Sequence, residues 1–268
     1  MNVLSLFDGM SCGQIALNRA KVKYNNYFAS EIDKYAIKVT QYNYPNTKQI
    51  GNVLKIKSNN LSKIDLLIGG SPCQGFSFAG KQLNFNDPRS KLFFEFVRLL
   101  KECKPKYFLL ENVKMKQEYQ NVISKYLGVL PIEINSSLVS AQNRKRLYWT
   151  NIRNIIQPID NNVVLSDIIE NGCLHTDKYY IIQRSRGFNK GGIKAKNGKT
   201  PPITSCSWQH NNHLYNNGEI RKLTPIECER LQTVPDDYTN VVSDTQRYRM
   251  LGNGWTVDVI THIFKGMI

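Results

Sequence analysis

Asn2-Val3-Leu4-Ser5-Leu6-Phe7-Asp8-Gly9-Met10-Ser11-Cys12-Gly13 is an apolar run that ends abruptly in a turn of small residues. Residues 3–7 read as a buried strand, 8–13 as a tight turn and 14–20 as a helix. The same alternation continues downstream. Residues 27–31 are the next strand and 34–42 the next helix, and 64–68 is a buried strand ended by Gly69-Gly70. Leu92, Phe93, Phe96, Val97 and Leu100 recur at helical spacing behind a Ser90 cap, and 107–110 and 147–152 close the series as strands. Strands alternating with helices predict an α/β fold with a mostly parallel sheet covered on both faces. In such a sheet ligands sit at the carboxyl ends of the strands.

With 268 residues and 41% hydrophobic content, the chain suits one large domain, or one plus a small insertion, around a sizeable core. Lys and Arg number 36 against 21 Asp and Glu, a formal charge of +15 that favours polyanionic partners. The sequence has no apolar run long enough for a bilayer and no basic-then-apolar start, so the expectation is a cytoplasmic protein with no membrane partner. Six cysteines without a C-x-x-C pair predict thiols, not a disulfide framework. Abundant Asn, Lys and Ile fit an AT-rich genome, bacterial or phage.

The residues with chemical potential fall at the predicted strand ends. In Phe7–Gly13 the small side chains let a ligand approach the backbone, and Glu31 could accept hydrogen bonds from ribose hydroxyls. A bland strand-turn-helix and a surface acid account for these two equally well. Gly70-Ser71-Pro72-Cys73-Gln74-Gly75-Phe76-Ser77 is sharper. It presents Cys73 at the sheet's active edge, where a nucleophilic thiolate needs exposure and a lowered pKa. Cys12, Cys103, Cys173, Cys206 and Cys228 read as structural thiols. Glu111, in Glu111-Asn112-Val113, could hydrogen-bond the Watson–Crick edge of a base. Gln142-Asn143-Arg144-Lys145-Arg146 puts Arg144 and Arg146 on one side of an extended segment, where they could clamp a phosphate or a base carbonyl. Cys206, His210 and His213 have a zinc-like spacing that no second pair completes, so no metal is expected.

Taken in order, LFDGMSCG, SEIDKYA, GNV, GGSPCQGFS, ENV, QNRKR, LTPIECERLQ and LGNGWTV resemble the blocks of the cytosine-5 DNA methyltransferases. The resemblance spans the chain except about 153–220. It implies a Rossmann-like methyltransferase sheet with a small irregular target-recognition lobe, S-adenosylmethionine as cofactor, and duplex DNA as substrate of a monomeric enzyme. It further implies that the cytosine flips out and that Cys73 adds to carbon 6. Glu111 then holds the ring nitrogen and exocyclic amine, and Arg144 anchors the carbonyl, with Arg146 beside it. Phe7, Asp8, Gly9, Ser11, Glu31, Ile32, Asn52, Val53, Pro72, Leu92, Asn253 and Trp255 would line the cofactor pocket. Ser11 stands where the family usually has its last glycine, and Asn52 where it usually has an acid.

Three segments follow from the same reading: 1–152 catalytic and cofactor-binding, 153–220 target-recognizing, and 221–268 returning to the catalytic domain. Residues 178–199 are basic and acid-free with interleaved glycines. The middle segment is therefore expected as a lobe poor in regular structure, facing DNA across a cleft. Gln74, Ser77 and Gln142 would contact DNA, and Gln183, Arg184 and Arg186 would read bases, since Arg pairs bidentately with guanine and Gln with adenine. Thr224-Pro225-Ile226-Glu227 predicts a capped helix, and a last helix is expected after Gly252-Asn253-Gly254. The rivals are a tRNA cytosine-5 methyltransferase, whose Cys-Phe-Thr signature is missing here, and an inactive DNA-binding relative, against which Cys73, Glu111 and Arg144 argue.

Overall fold

Buried Val3, Leu4 and Leu6 form the first strand, β1 (Asn2–Leu6), an interior strand of the main sheet. A computed structural model describes residues 1–71, 91–170, 179–185, 187–196, 198–206, 211–216 and 218–268. Ser90, Cys73 and Cys173 lie outside these residues. Contacts group the described chain into two units. The first comprises 1–134, 145–156 and 261–268, and the second 135–144 and 157–260.

In the first unit, β1 leads to α1 (Cys12–Arg19), β2 (Asn26–Ser30), α2 (Lys34–Asn43) and the short β3 (Lys48–Gln49). It continues through β4 (Leu66–Gly70), α3 (Lys91–Cys103), β5 (Tyr107–Val113), α4 (Gln117–Leu127), β6 (Ile132–Asn135) and β7 (Lys145–Thr150). The sheet order is β3-β2-β1-β4-β5-β7-β6. The pairs β1·β2, β2·β3, β1·β4 and β4·β5 are parallel, and β5·β7 is antiparallel. The chain steps outward from β1 to β3 and returns to β4 on the other side of β1, which makes a topological switch point between β1 and β4. Leu6 is in register with Ser30 and Gly69, and Gly70 with Glu111. The segments after β1, β2 and β4 and the end of β5 therefore share one edge of the sheet.

Leu4, Leu67, Phe93, Phe96, Leu110 and Trp149 belong to one buried cluster beneath that edge. Gly69 leaves little room there: a Cβ would lie 3.1 Å from both the Leu6 carbonyl and the Phe96 ring, which would have to give by a few tenths of an ångström. α3 thus packs directly onto the sheet next to the strand end that leads to Cys73.

The second unit holds an antiparallel sheet in the order β11-β10-β8-β9. Its strands are β8 (Tyr180–Gln183), β9 (Gly192–Lys196), β10 (His213–Asn216) and β11 (Glu219–Lys222). The segment expected to be poor in regular structure therefore carries short strands. Four or five residues, with a register shift between Ile181 and Ile182, are too few to display a period of two. The helices are α5 (Leu165–Ile168), α6 (Pro225–Leu231) and α7 (Asp244–Asn253), followed by α8 (Val257–Lys265), whose residues from 261 on belong to the first unit. The Thr224–Glu227 capping box forms as the sequence predicts, each residue's side chain accepting from the other's N–H. The last helix, α8, follows Gly252-Asn253-Gly254 and ends at Lys265, and Gly252 and Asn253 themselves close α7.

Candidate active site

Glu111 and Arg146 meet because of strand parity. Val113 pairs with Arg146 across β5 and β7, and Glu111 lies two residues from Val113, so both side chains leave the same face. Arg146 Nε is 3.1 Å from Glu111 Oε1, with the two side chains 17% and 13% exposed. One residue on, Asn112 is buried and donates through Nδ2 to the carbonyl (3.4 Å) and hydroxyl (3.2 Å) of Ser71. Ser71 follows β4 directly, two residues before Cys73. Asn112 thus ties the end of β5 to the start of the segment that bears the thiol. Pro72, Cys73, Gln74 and Ser77 lie outside the described residues.

The turn after β1 is built on left-handed backbone at Phe7, Gly9 and Ser11, with φ of 57°, 59° and 65°. Glu31 bridges it to β2. Its Oε2 accepts from Gly9 N at 2.8 Å, and its Oε1 from Ile32 N (2.7 Å) and Asp33 N (2.8 Å). A carboxylate offers about four acceptor sites, so further donors can still be met. Tyr27 Oη donates to Asp8 Oδ1 at 2.7 Å, while the buried Asp8 Oδ2 has no hydrogen-bond donor among the described residues. Burial pushes the Asp8 carboxyl up to about 6 against the hydroxyls of Ser5, Tyr27 and Ser11, which favour its charged form. Ser11 is buried and accepts from Gln14 Nε2 at 2.8 Å, which gives its hydroxyl a partner that a glycine would lack. Ile32 is 74% exposed. Asn52 caps the short turn Val53–Lys55 by accepting from Leu54 N at 3.0 Å, and Ser30 Oγ donates to Gly51 O, anchoring that turn to the end of β2. Val53 is buried, and Leu92 packs against the core cluster. Phe7, Asp8, Gly9, Ser11, Glu31, Ile32 and Asn52 are thus gathered around two adjacent strand ends.

The sequence matches the family described as C-5 cytosine-specific DNA methylase over residues 1–170 and 162–268. The chain belongs to this family. Its reaction is methyl transfer to carbon 5 of cytosine in DNA. The type II methyltransferase M1.ScrFI of Lactococcus lactis subsp. cremoris is 32% identical over 310 residues, spanning 99% of this chain and 77% of the relative. M.NlaX of Neisseria lactamica is 31% identical over 300 residues, spanning 99% and 95%. In fold, the chain resembles the Entamoeba histolytica methyltransferase EhMeth, with a TM-score of 0.77 at 19% identity over 100% of this chain and 97% of that one.

In this methyltransferase the two motif arginines part company. Arg144 has other partners than Arg146. It precedes β7, counts with the second unit and is 4% exposed. Its guanidinium donates to the carbonyls of Ile203 (2.8 Å), Gly252 (3.2 Å) and Gly254 (3.0 Å). Gln142, expected at DNA, is fully buried. It donates to Leu231 O and Gln232 Oε1 and accepts from Ile203 N. Asn253 is exposed and Trp255 half-buried in the same unit. Gln183 donates to Asn212 Oδ1 (2.7 Å) and accepts from Asn189 (2.9 Å), so its amide is engaged within the unit, while Arg184 is exposed. Arg186 lies outside the described residues. Sequence reasoning gave no role to Asn112 and Gln232, two buried amides that lie inside the ENV and LTPIECERLQ blocks. It also missed the Glu229–Arg247 pair (3.2 Å), where Glu229 is 0% exposed. Among the described residues no group of His, Cys, Asp or Glu could hold a metal ion, and no helix is long and apolar enough to cross a membrane.

Proposed function

We propose that the methyltransferase modifies one cytosine in a short, specific duplex sequence through a Cys73 adduct, with S-adenosylmethionine as donor. The observation that carries this reading is the Glu111–Arg146 pair, at the strand end in register with Gly70 and three residues from Cys73. The first unit fits the cofactor's chemistry. A free buried acceptor at Asp8 Oδ2 suits an ammonium, the Glu31 carboxylate suits ribose hydroxyls, and exposed Ile32 offers an apolar face to a purine. Asn52 commits its oxygen to Leu54 and so keeps its amide donors for the purine edge, the reverse of the acid usual there. Val53, Pro72, Leu92, Asn253 and Trp255 complete the proposed lining.

When bound, the sulfonium supplies an already activated methyl, so no metal is required. Glu111 holds the flipped cytosine by its ring nitrogen and exocyclic amine. Arg146, already beside Glu111, takes the base carbonyl, the place the sequence suggested for Arg144. The Cys73 thiolate adds to carbon 6, which makes carbon 5 nucleophilic. Loss of the carbon 5 proton after methyl transfer re-forms the ring double bond and expels the thiolate. Arg184, with Arg186, Gln74 and Ser77, is proposed to contact DNA.

Cys73→Ser tests this. Incorporation of tritiated methyl into duplex DNA should vanish, and 5-fluorocytosine DNA should trap a covalent adduct on the wild type only. Substantial incorporation by the variant would remove Cys73 from the mechanism. Bisulfite sequencing of DNA from expressing cells should show one methylated motif.

A further inference from the structure

The carbonyls at the end of α7 need donors, because the last four C=O groups of a helix have no partner within it. The last turn of α7 contains no basic residue of its own. Two side chains from distant parts of the second unit meet the need. Gln232, fully buried, donates through Nε2 to Leu251 O at 2.7 Å and Gly254 O at 3.1 Å. Arg144 donates through Nη2 to Gly252 O and Gly254 O. A guanidinium there also faces the negative end of the helix dipole, and its bonds are charge-assisted.

The clasp is itself braced. Arg144 N donates to Asn135 Oδ1 at 3.0 Å, and the Arg144 carbonyl accepts from Ser136. Ser136 Oγ donates to Thr256 Oγ1 at 2.9 Å, and Thr256 Oγ1 donates to Gln232 Oε1 at 2.8 Å. Gly252 lies so close to residues 204 and 205 that a Cβ would fall 2.1 Å from the Thr204 carbonyl carbon and 2.2 Å from Ser205 N. The third carbonyl on Arg144 belongs to the neighbouring Ile203. One buried cation therefore pins two backbone segments, 203–205 and 252–254, against each other.

We infer that Arg144 is a positioning residue for the cofactor: it fixes the C-terminal end of α7, which carries Asn253 and leads to Trp255, and so sets cofactor affinity without touching the cytosine. This rests on the reading of Asn253 and Trp255 as cofactor contacts. Lysine keeps the charge of arginine but cannot span three carbonyls in fixed directions.

The test uses the full chain and Arg144→Lys. The affinity for S-adenosylhomocysteine is measured calorimetrically without DNA, alongside kcat and KM for S-adenosylmethionine. The expected result is a rise of about tenfold or more in both Kd and KM, with kcat at saturating cofactor within a few-fold of wild type. A residue that anchors the base would instead lower kcat and leave Kd unchanged, and that outcome overturns the inference. So does a Kd within twofold of wild type. Thr256→Val, which removes only the hydroxyl bridging Ser136 and Gln232, covers the case in which Arg144→Lys fails to fold. It should weaken cofactor binding in the same direction, and an unchanged Kd would count against the clasp. If the wild-type chain binds no S-adenosylhomocysteine, the cofactor reading itself falls, a result distinct from equal binding by wild type and variant.

Discussion

Asp8 carries a cost that shows how a single residue in a ligand-binding turn can be kept at the expense of the fold. The folded chain holds its proton up to about pH 6, while the ordinary carboxyl releases it near 3.8. The folded state therefore binds more protons between these values. The stability Asp8 contributes is fully present below about pH 4 and is lost as the pH rises to 6. Asp8→Asn has no such loss, and its amide oxygen can still accept from Tyr27. Without cofactor, the variant should melt above wild type at pH 8, by about 1–3 kcal/mol in stability, with the advantage gone near pH 4. A difference in Tm that stays flat with pH would show that folding does not raise the Asp8 pKa. At this scale Glu111 was legible from its motif, and Arg144 and Arg146 were not separable. Two residues apart on an extended segment implies one face, and the sequence does not show that β7 begins only at Lys145, leaving Arg144 outside the strand.

The elements were the most legible scale, for reasons visible in particular stretches. β1 and β4 are buried apolar runs, and α3 combines long periodicity with aromatic anchors in Phe93 and Phe96. α7 hid, because Asp244–Asn253 is polar and its buried face includes Arg247, paired with Glu229. A charge buried with its partner leaves no hydrophobic period to read. α6 announced itself through its cap. Thr224→Ala removes the hydroxyl that Glu227 N uses, and also its contact with Glu170. It should lower stability by about 1 kcal/mol in urea titration, with the slope unchanged. A loss below the error of the titration would mean that the Arg221–Glu227 bridge holds the helix start unaided.

At the scale of the whole molecule, the +15 charge is the property that composition alone could weigh. If phosphates supply the affinity, log K for duplex DNA should fall linearly with log salt, by about 0.9 per phosphate neutralized. Six to ten contacts would cost about 10³–10⁵-fold between 50 and 200 mM. A flat titration would refute the electrostatic account. The membership of the first unit has a separate consequence. It draws on residues 261–268, where Ile263 and Phe264 are fully buried and the His262 ring lies 2.8 Å from Ile156 O. A ribosome delivers those residues only after all of the second unit, so the first unit cannot gather all its parts until translation has passed Phe264. Partial products released early would lack a buried part of the first unit, Ile263 and Phe264 among it.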